Sequence, residues 1–202
     1  MRVVLAYKNF AANKGISHIG LGVAAMNTSK VLRREGIEAD VWPIVNAAEL
    51  WARLEQARTA PGQHPVTHVV VSAPWIPTPE LQALVGSFTN IIFAVNCHSN
   101  VGFLQADSNG IRRVRESLEI ERGVWNFHAA GNSGKYCRWV TDTYQAPCSY
   151  LPNLYYLDHT AAPNRPLFHG GTLRIGAFGA TRPLKNFMSA CAAAIEISTS
   201  LK

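Results

Sequence analysis

Val66-Thr-His-Val-Val-Val-Ser72, running on into Ala73-Pro74-Trp75, is the stretch that decides the fold. Its unbroken Val69-Val70-Val71 is what a strand buried on both faces of a parallel sheet requires. Such a strand ends facing whatever the fold binds, and here its exit is Ala73-Pro74-Trp75.

Working outward, apolar segments of strand length alternate with segments of helical period, the pattern of repeated βα units. The preceding unit is a strand over Glu38 to Ile44 and a helix over Ala47 to Ala57, with Leu50, Trp51 and Leu54 inward. Before that, a strand over Arg2 to Tyr7 leads through Asn13, Lys14, Gly15, Ser17 and His18 to a helix with Leu21, Ala24, Ala25, Thr28, Val31 and Leu32 on one face, stopped at Gly36. On the other side, Pro79 sits near the start of a short helix, and Ile91 to Asn96 is a buried strand leaving through Cys97-His98-Ser99-Asn100. A helix capped by Asp107 or Ser108 follows, with Ile111, Val114 and Leu118 as a narrow apolar stripe and its many charges on a solvated face. A strand over Val124 to Ala129, a turn at Asn132-Ser133-Gly134-Lys135, a helix over Tyr136 to Thr143 and a short strand over Cys148 to Leu151 complete the set. The expected fold is α/β, a Rossmann-like parallel sheet with helices on both faces over 1–157. A Pro-, Asn-, His- and Gly-rich linker over 158–171 and a terminal βα unit over 172–202 complete the chain.

The 202 residues carry a formal charge of +6, which suits an anionic ligand. The basic residues are scattered and do not interleave with aromatics, which argues against nucleic acid. Cys97, Cys137, Cys148 and Cys191 show no C-x-x-C spacing, so a reduced, cytoplasmic setting is expected. No secretory leader and no apolar run long enough to span a bilayer is read from the sequence.

Ligands of open parallel sheets bind at the carboxyl ends of the strands. Those exits collect Lys14, Gly15, Ser17 and His18, then Trp75, then His98, Ser99 and Asn100, then Ser133 and Lys135, then Asn153. Gly15-x-x-x-x-Gly20-x-Gly22 does not spell G-x-G-x-x-G and lacks the Lys-Ser/Thr of a P-loop, so a nicotinamide enzyme or P-loop NTPase is disfavoured. No G-x-S-x-G elbow is present, and the spacings of Cys97, His98, Cys137 and Cys148 match no zinc pattern. His98, just after a buried strand, is placed to hydrogen-bond a sugar hydroxyl or a developing charge. The terminal stretch Leu173-Arg-Ile-Gly-Ala-Phe-Gly-Ala-Thr-Arg-Pro-Leu-Lys-Asn186 reads as a strand, a glycine turn and a basic pair, Arg182 and Lys185, opening a helix near Asn186. That arrangement suits a phosphate.

Three features together resemble the N-terminal half of a GT-B glycosyltransferase of the retaining, nucleotide-sugar-dependent kind (family 4/1-like). They are the glycine loop after the first strand with a long helix behind it, the strand-exit histidine of Val95-Asn-Cys-His98, and Leu151-Pro-Asn153 leading through a linker into Ile175–Asn186. The resemblance implies transfer of a hexose from a nucleotide-diphospho-sugar to an acceptor hydroxyl. Arg182 and Lys185 would hold the departing diphosphate, Gly15 would approach it, and His98 would position the transferred sugar. Lys14, Ser17, His18, Trp75, Ser99, Asn100, Ser133, Lys135 and Asn153 would line the acceptor or sugar cleft. It implies no metal and no bound cofactor besides the donor substrate. The acidic E-x7-E-type motif of the family has no counterpart before Lys202, so a truncated donor domain is expected, completed by a missing C-terminal domain. The alternative is a non-catalytic binding or assembly module that dimerises through the terminal βα arm, burying Phe187, Met188, Ala190, Ala194 and Ile195.

Overall fold

The computed structural model describes residues 1–9, 19–106, 109–156, 168–169, 172–173 and 187–200. They fall in two compact units, Met1–Tyr156 and Leu157–Lys202.

The first unit is built on six strands: β1 (Arg2–Lys8), β2 (Glu38–Ile44), β3 (His68–Ser72), β4 (Ile92–Cys97), β5 (Phe127–Gly131) and β6 (Ser149–Tyr150). All pair in parallel, in the order β2-β1-β3-β4-β5-β6. The chain therefore moves to one side of β1, returns, and continues on the other, which makes the β1/β3 junction the topological switch point.

Register fixes the core. Val4, Val69, Phe93 and Phe127 form one row across four strands, and none is exposed to solvent. Helices α2 (Ala47–Thr59), α3 (Thr78–Ser87) and α5 (Gly110–Gly123) cover that face through Leu50, Leu54, Leu81, Leu84, Val85 and Ile120. Helix α6 (Gly134–Tyr144) extends the cover towards β5, where Tyr136, Cys137 and Val140 meet Cys97 and Ala129. The opposite face, with Val3, Leu5 and Ala39, packs against α1 (Ile19–Arg34) through Ala25 and Leu32. Helices thus lie on both faces of the sheet, as the alternating pattern requires.

Three local departures from the sequence reading have physical causes. Val124 and Trp125 precede β5 and are exposed; the strand starts after Asn126, whose buried amide donates to the carbonyls of Val85, Phe88 and Ile91 and pins the turn there. Val101–Ala106 forms a short helix, α4, in a stretch to which the sequence reading assigns no element; six residues are too few to show a period. The N-cap position of α5 is Asn109, without a side-chain capping bond, while Asp107 and Ser108 lie outside the described residues.

In the second unit, β7 (Phe168–His169) pairs antiparallel with β8 (Thr172–Leu173), and α7 spans Phe187–Ser200. Met188 and Ile195 of α7 are largely exposed. No described helix is long and apolar enough to cross a membrane.

Candidate functional site

The carboxyl edge is tied together by backbone bonds running from strand exit to strand exit. Asn9 N–H donates to Ile44 O at 2.7 Å, Ala73 N–H to Asn96 O at 2.8 Å, Asn132 N–H to Cys97 O at 3.1 Å, and Leu151 N–H to Gly131 O at 3.0 Å. Along this rim the bonds join the exits of β1 and β2 and, as a second run, those of β3, β4, β5 and β6.

Ala73 holds φ at 69°, a left-handed conformation that costs a non-glycine residue about 1–2 kcal/mol. Trp75 N–H then donates to Ala73 O at 3.0 Å, closing a tight turn about Pro74. The turn delivers Trp75 to the core beneath α3, 9% exposed, with its indole N–H unpartnered. The Lys8 ammonium lies 5.5 Å from the indole ring centroid. Trp75 also lines a cavity of about 10 Å³ with Thr78, Arg113 and Ser117, polar enough and just large enough for one water.

On the α1 side of the rim the register places Tyr7, Ser72, Asn96 and Ala130 in one row, projecting from one face. Asn96 is 6% exposed; its Nδ2 donates to Leu151 O at 3.1 Å, and its Oδ1 is buried with no partner. Two residues on, the Nδ1 of His98 lies 3.4 Å from the Nδ2 of Asn132, and its Nε2 is likewise buried and unpartnered. An amide nitrogen only donates, so Nδ1 accepts and the proton of the neutral ring sits on Nε2. Burial holds the His98 pKa below the ordinary 6.5, which keeps that neutral form. His98 is therefore a hydrogen-bond donor at neutral pH.

The other expected cleft residues occupy the same rim in varied roles. Ser133 is the N-cap of α6, its hydroxyl oxygen accepting from Tyr136 N–H at 3.2 Å, and Lys135 is exposed on the first turn of that helix. Ser99 is half-buried, while Asn100 is exposed and its carbonyl accepts from Leu104 N–H at the start of α4. Asn153 is half-buried in the segment after β6, which reaches α1, where Lys30 Nζ lies 6.0 Å from the Tyr156 ring centroid. Lys14, Gly15, Ser17, His18, Arg182 and Lys185 lie outside the described residues.

Behind the rim, burial pushes the thiols of Cys97 and Cys148 up, so neither is a thiolate nucleophile at neutral pH. Cys137 Sγ lies 3.6 Å from both Gly131 O and Ser149 O, a packing role. Among the described residues, no group of three His, Cys, Asp or Glu side chains could hold a metal ion. A groove of about 540 Å³ between α2 and α3 is mostly apolar, lined by alanines and Trp51, and of its polar residues Asn46 already caps α2.

Sequence reasoning singled out Trp75 and His98 as candidates but passed over Asn96. The signal was present: an asparagine closing the apolar run Ile91-Ile-Phe-Ala-Val95 is an amide committed to a buried strand. Comparison with models of protein families, with curated proteins and with solved structures finds no match.

Proposed function

We propose that the chain is the acceptor-side, Rossmann-like part of a GT-B glycosyltransferase together with the opening βα unit of its donor domain, transferring a hexose from a nucleotide-diphospho-sugar to an acceptor hydroxyl. The observation that carries this reading is the buried, unpartnered Nε2 of His98 at the exit of central strand β4. A buried donor left unpaired costs about 1–3 kcal/mol, and a sugar hydroxyl arriving at the carboxyl edge offsets that cost. Fixed donors of this kind act by positioning and by stabilising developing charge without reorganising. Arg182 and Lys185 are assigned to the diphosphate and Gly15 to its backbone contact, on the resemblance of Ile175–Asn186. The reaction is expected in the cytoplasm, without a metal.

The test is thermal shift of the 202-residue chain with nucleoside diphosphates, alongside hydrolysis and transfer assays with nucleotide-sugars. Binding that disappears in Arg182→Ala and Lys185→Ala supports the diphosphate assignment; unchanged binding in both sinks it. A second reading, an assembly module that pairs with another copy through α7, is favoured by the exposure of Met188 and Ile195. It is supported by a concentration-dependent dimer in sedimentation that Ile195→Glu abolishes, in a chain that binds no nucleotide.

A further inference from the structure

The carboxyl edge holds two unpartnered polar atoms on side chains two residues apart, Asn96 Oδ1 and His98 Nε2. Each side chain has its other polar atom engaged, Asn96 Nδ2 with Leu151 O and His98 Nδ1 with Asn132 Nδ2. Those engagements fix the roles of the free atoms: Asn96 Oδ1 can only accept and His98 Nε2–H can only donate. Asn96 lies in β4 on the α1 side of the sheet and His98 directly follows the last residue of that strand, Cys97, so both atoms belong to the β4 exit. The register neighbours of Asn96 on that face, Ser72 and Ala130, are small, and the row ends at the β1/β3 switch point with Tyr7.

An acceptor with no charge to offset it repels an anionic oxygen, so a phosphate does not fit against Asn96 Oδ1. A carboxylate fails for the same reason. A pair made of one acceptor and one donor matches neighbouring hydroxyls, since each hydroxyl both gives and takes a hydrogen bond. We propose that Asn96 is a sugar-binding residue: its Oδ1 accepts from one hydroxyl of an uncharged hexose ring whose neighbouring oxygen accepts from His98 Nε2–H. This rests on the glycosyl-transfer reading of the edge and adds to it the residue that selects the hexose by a hydroxyl. Asn96 has two separable jobs, the Nδ2 bond holding the segment after β6 and the Oδ1 bond reading the ligand.

Calorimetric titration of the full chain with UDP-glucose, UDP-galactose and GDP-mannose, and with UDP and GDP in parallel, tests the proposal. At least one sugar nucleotide is expected to bind about tenfold or more tightly than its bare diphosphate, as a hydrogen bond into a buried, otherwise unpaired site allows. Asn96→Leu is expected to erase that advantage while leaving the diphosphate affinity unchanged. Because Asn96→Leu also removes the Leu151 bond, the second measurement leaves the protein alone: one monodeoxy analogue of the preferred sugar nucleotide is expected to bind wild-type chain about tenfold more weakly than the parent. The Asn96 assignment is overturned if the sugar advantage persists in Asn96→Leu, if every monodeoxy analogue binds as well as the parent, or if diphosphates bind and sugars add nothing. Failure of both diphosphates and sugar nucleotides to bind sinks the glycosyl-transfer reading itself.

Discussion

Individual residues at the rim are constrained by steric contact and by charge. Gly131 closes β5 with the Tyr136 ring laid against its backbone; a Cβ there would stand 2.1 Å from Tyr136 Cδ1 and 2.7 Å from Cε1. Tyr136 is 4% exposed and packs against Trp139 with ring centroids 5.9 Å apart, so the ring has little room to retreat. Gly131→Ala is expected to destabilise the chain by about 1–3 kcal/mol, read by urea unfolding. His98 brings a pH dependence. Its unfolded imidazole takes up a proton near 6.5, whereas the folded ring, desolvated by burial, does so only at lower pH. Between those two values the unfolded state binds more protons, so stability is fully present above about pH 6.5 and falls as the pH drops through that window. The His68 pKa is also lowered, by burial first and then by the N-terminal charge, and acts in the same direction. His98→Gln is therefore expected to flatten, without abolishing, the loss of unfolding free energy between about pH 7 and about pH 5.5. An unchanged slope would show that the ring is not desolvated in the folded chain.

At the level of elements, capping chemistry decides which rim residues are structural. Ser133 reads from sequence as one of several polar exit residues, yet in the fold its hydroxyl satisfies the Tyr136 N–H at the start of α6. Ser133→Ala is expected to cost about 1 kcal/mol in thermal or urea unfolding, the worth of one N-cap. Such a role is poorly legible, because a serine before a helix and a serine beside a ligand look alike in one dimension. The strands were easier to read. Val69-Val70-Val71 and Ile91 to Asn96 announce burial on both faces, and β3 and β4 lie where those runs are. The β5 boundary was not, because Val124 and Trp125 are apolar and exposed, and a long-range bond from Asn126 decides where pairing starts. The part of β5 that the short β6 leaves unpaired is likewise served from a distance. Glu121 of α5 accepts from Ala129 N–H at 3.2 Å, and burial pushes its carboxyl pKa up even though that bond and His128 pull it down.

For the whole molecule, periodicity announces repeated βα units but not the order in which strands join, since the same alternation serves a chain that reverses after its second strand and one that does not. The observed order places Asn96 and Tyr7 in one register row, and no local pattern contains that fact. Among the described residues, the three apolar clusters are composed wholly of residues from Met1–Tyr156. A fragment ending at Tyr156 is therefore expected to unfold cooperatively, which circular dichroism would read. The last helix follows different physics. From Met188 to Ser200 no side chain of α7 is buried, and helices of about 12–15 residues are marginal in water without packing. Amides of α7 are accordingly expected to exchange with deuterium far faster than those of β1, β3 and β4, whose hydrogen bonds open only with the core. Concentration separates the remaining possibilities: a monomeric chain gives fast α7 exchange at every concentration, whereas pairing through Met188 and Ile195 slows it as concentration rises. Slow α7 exchange in dilute solution would contradict the exposure of that helix and require an apolar partner for it within the single chain.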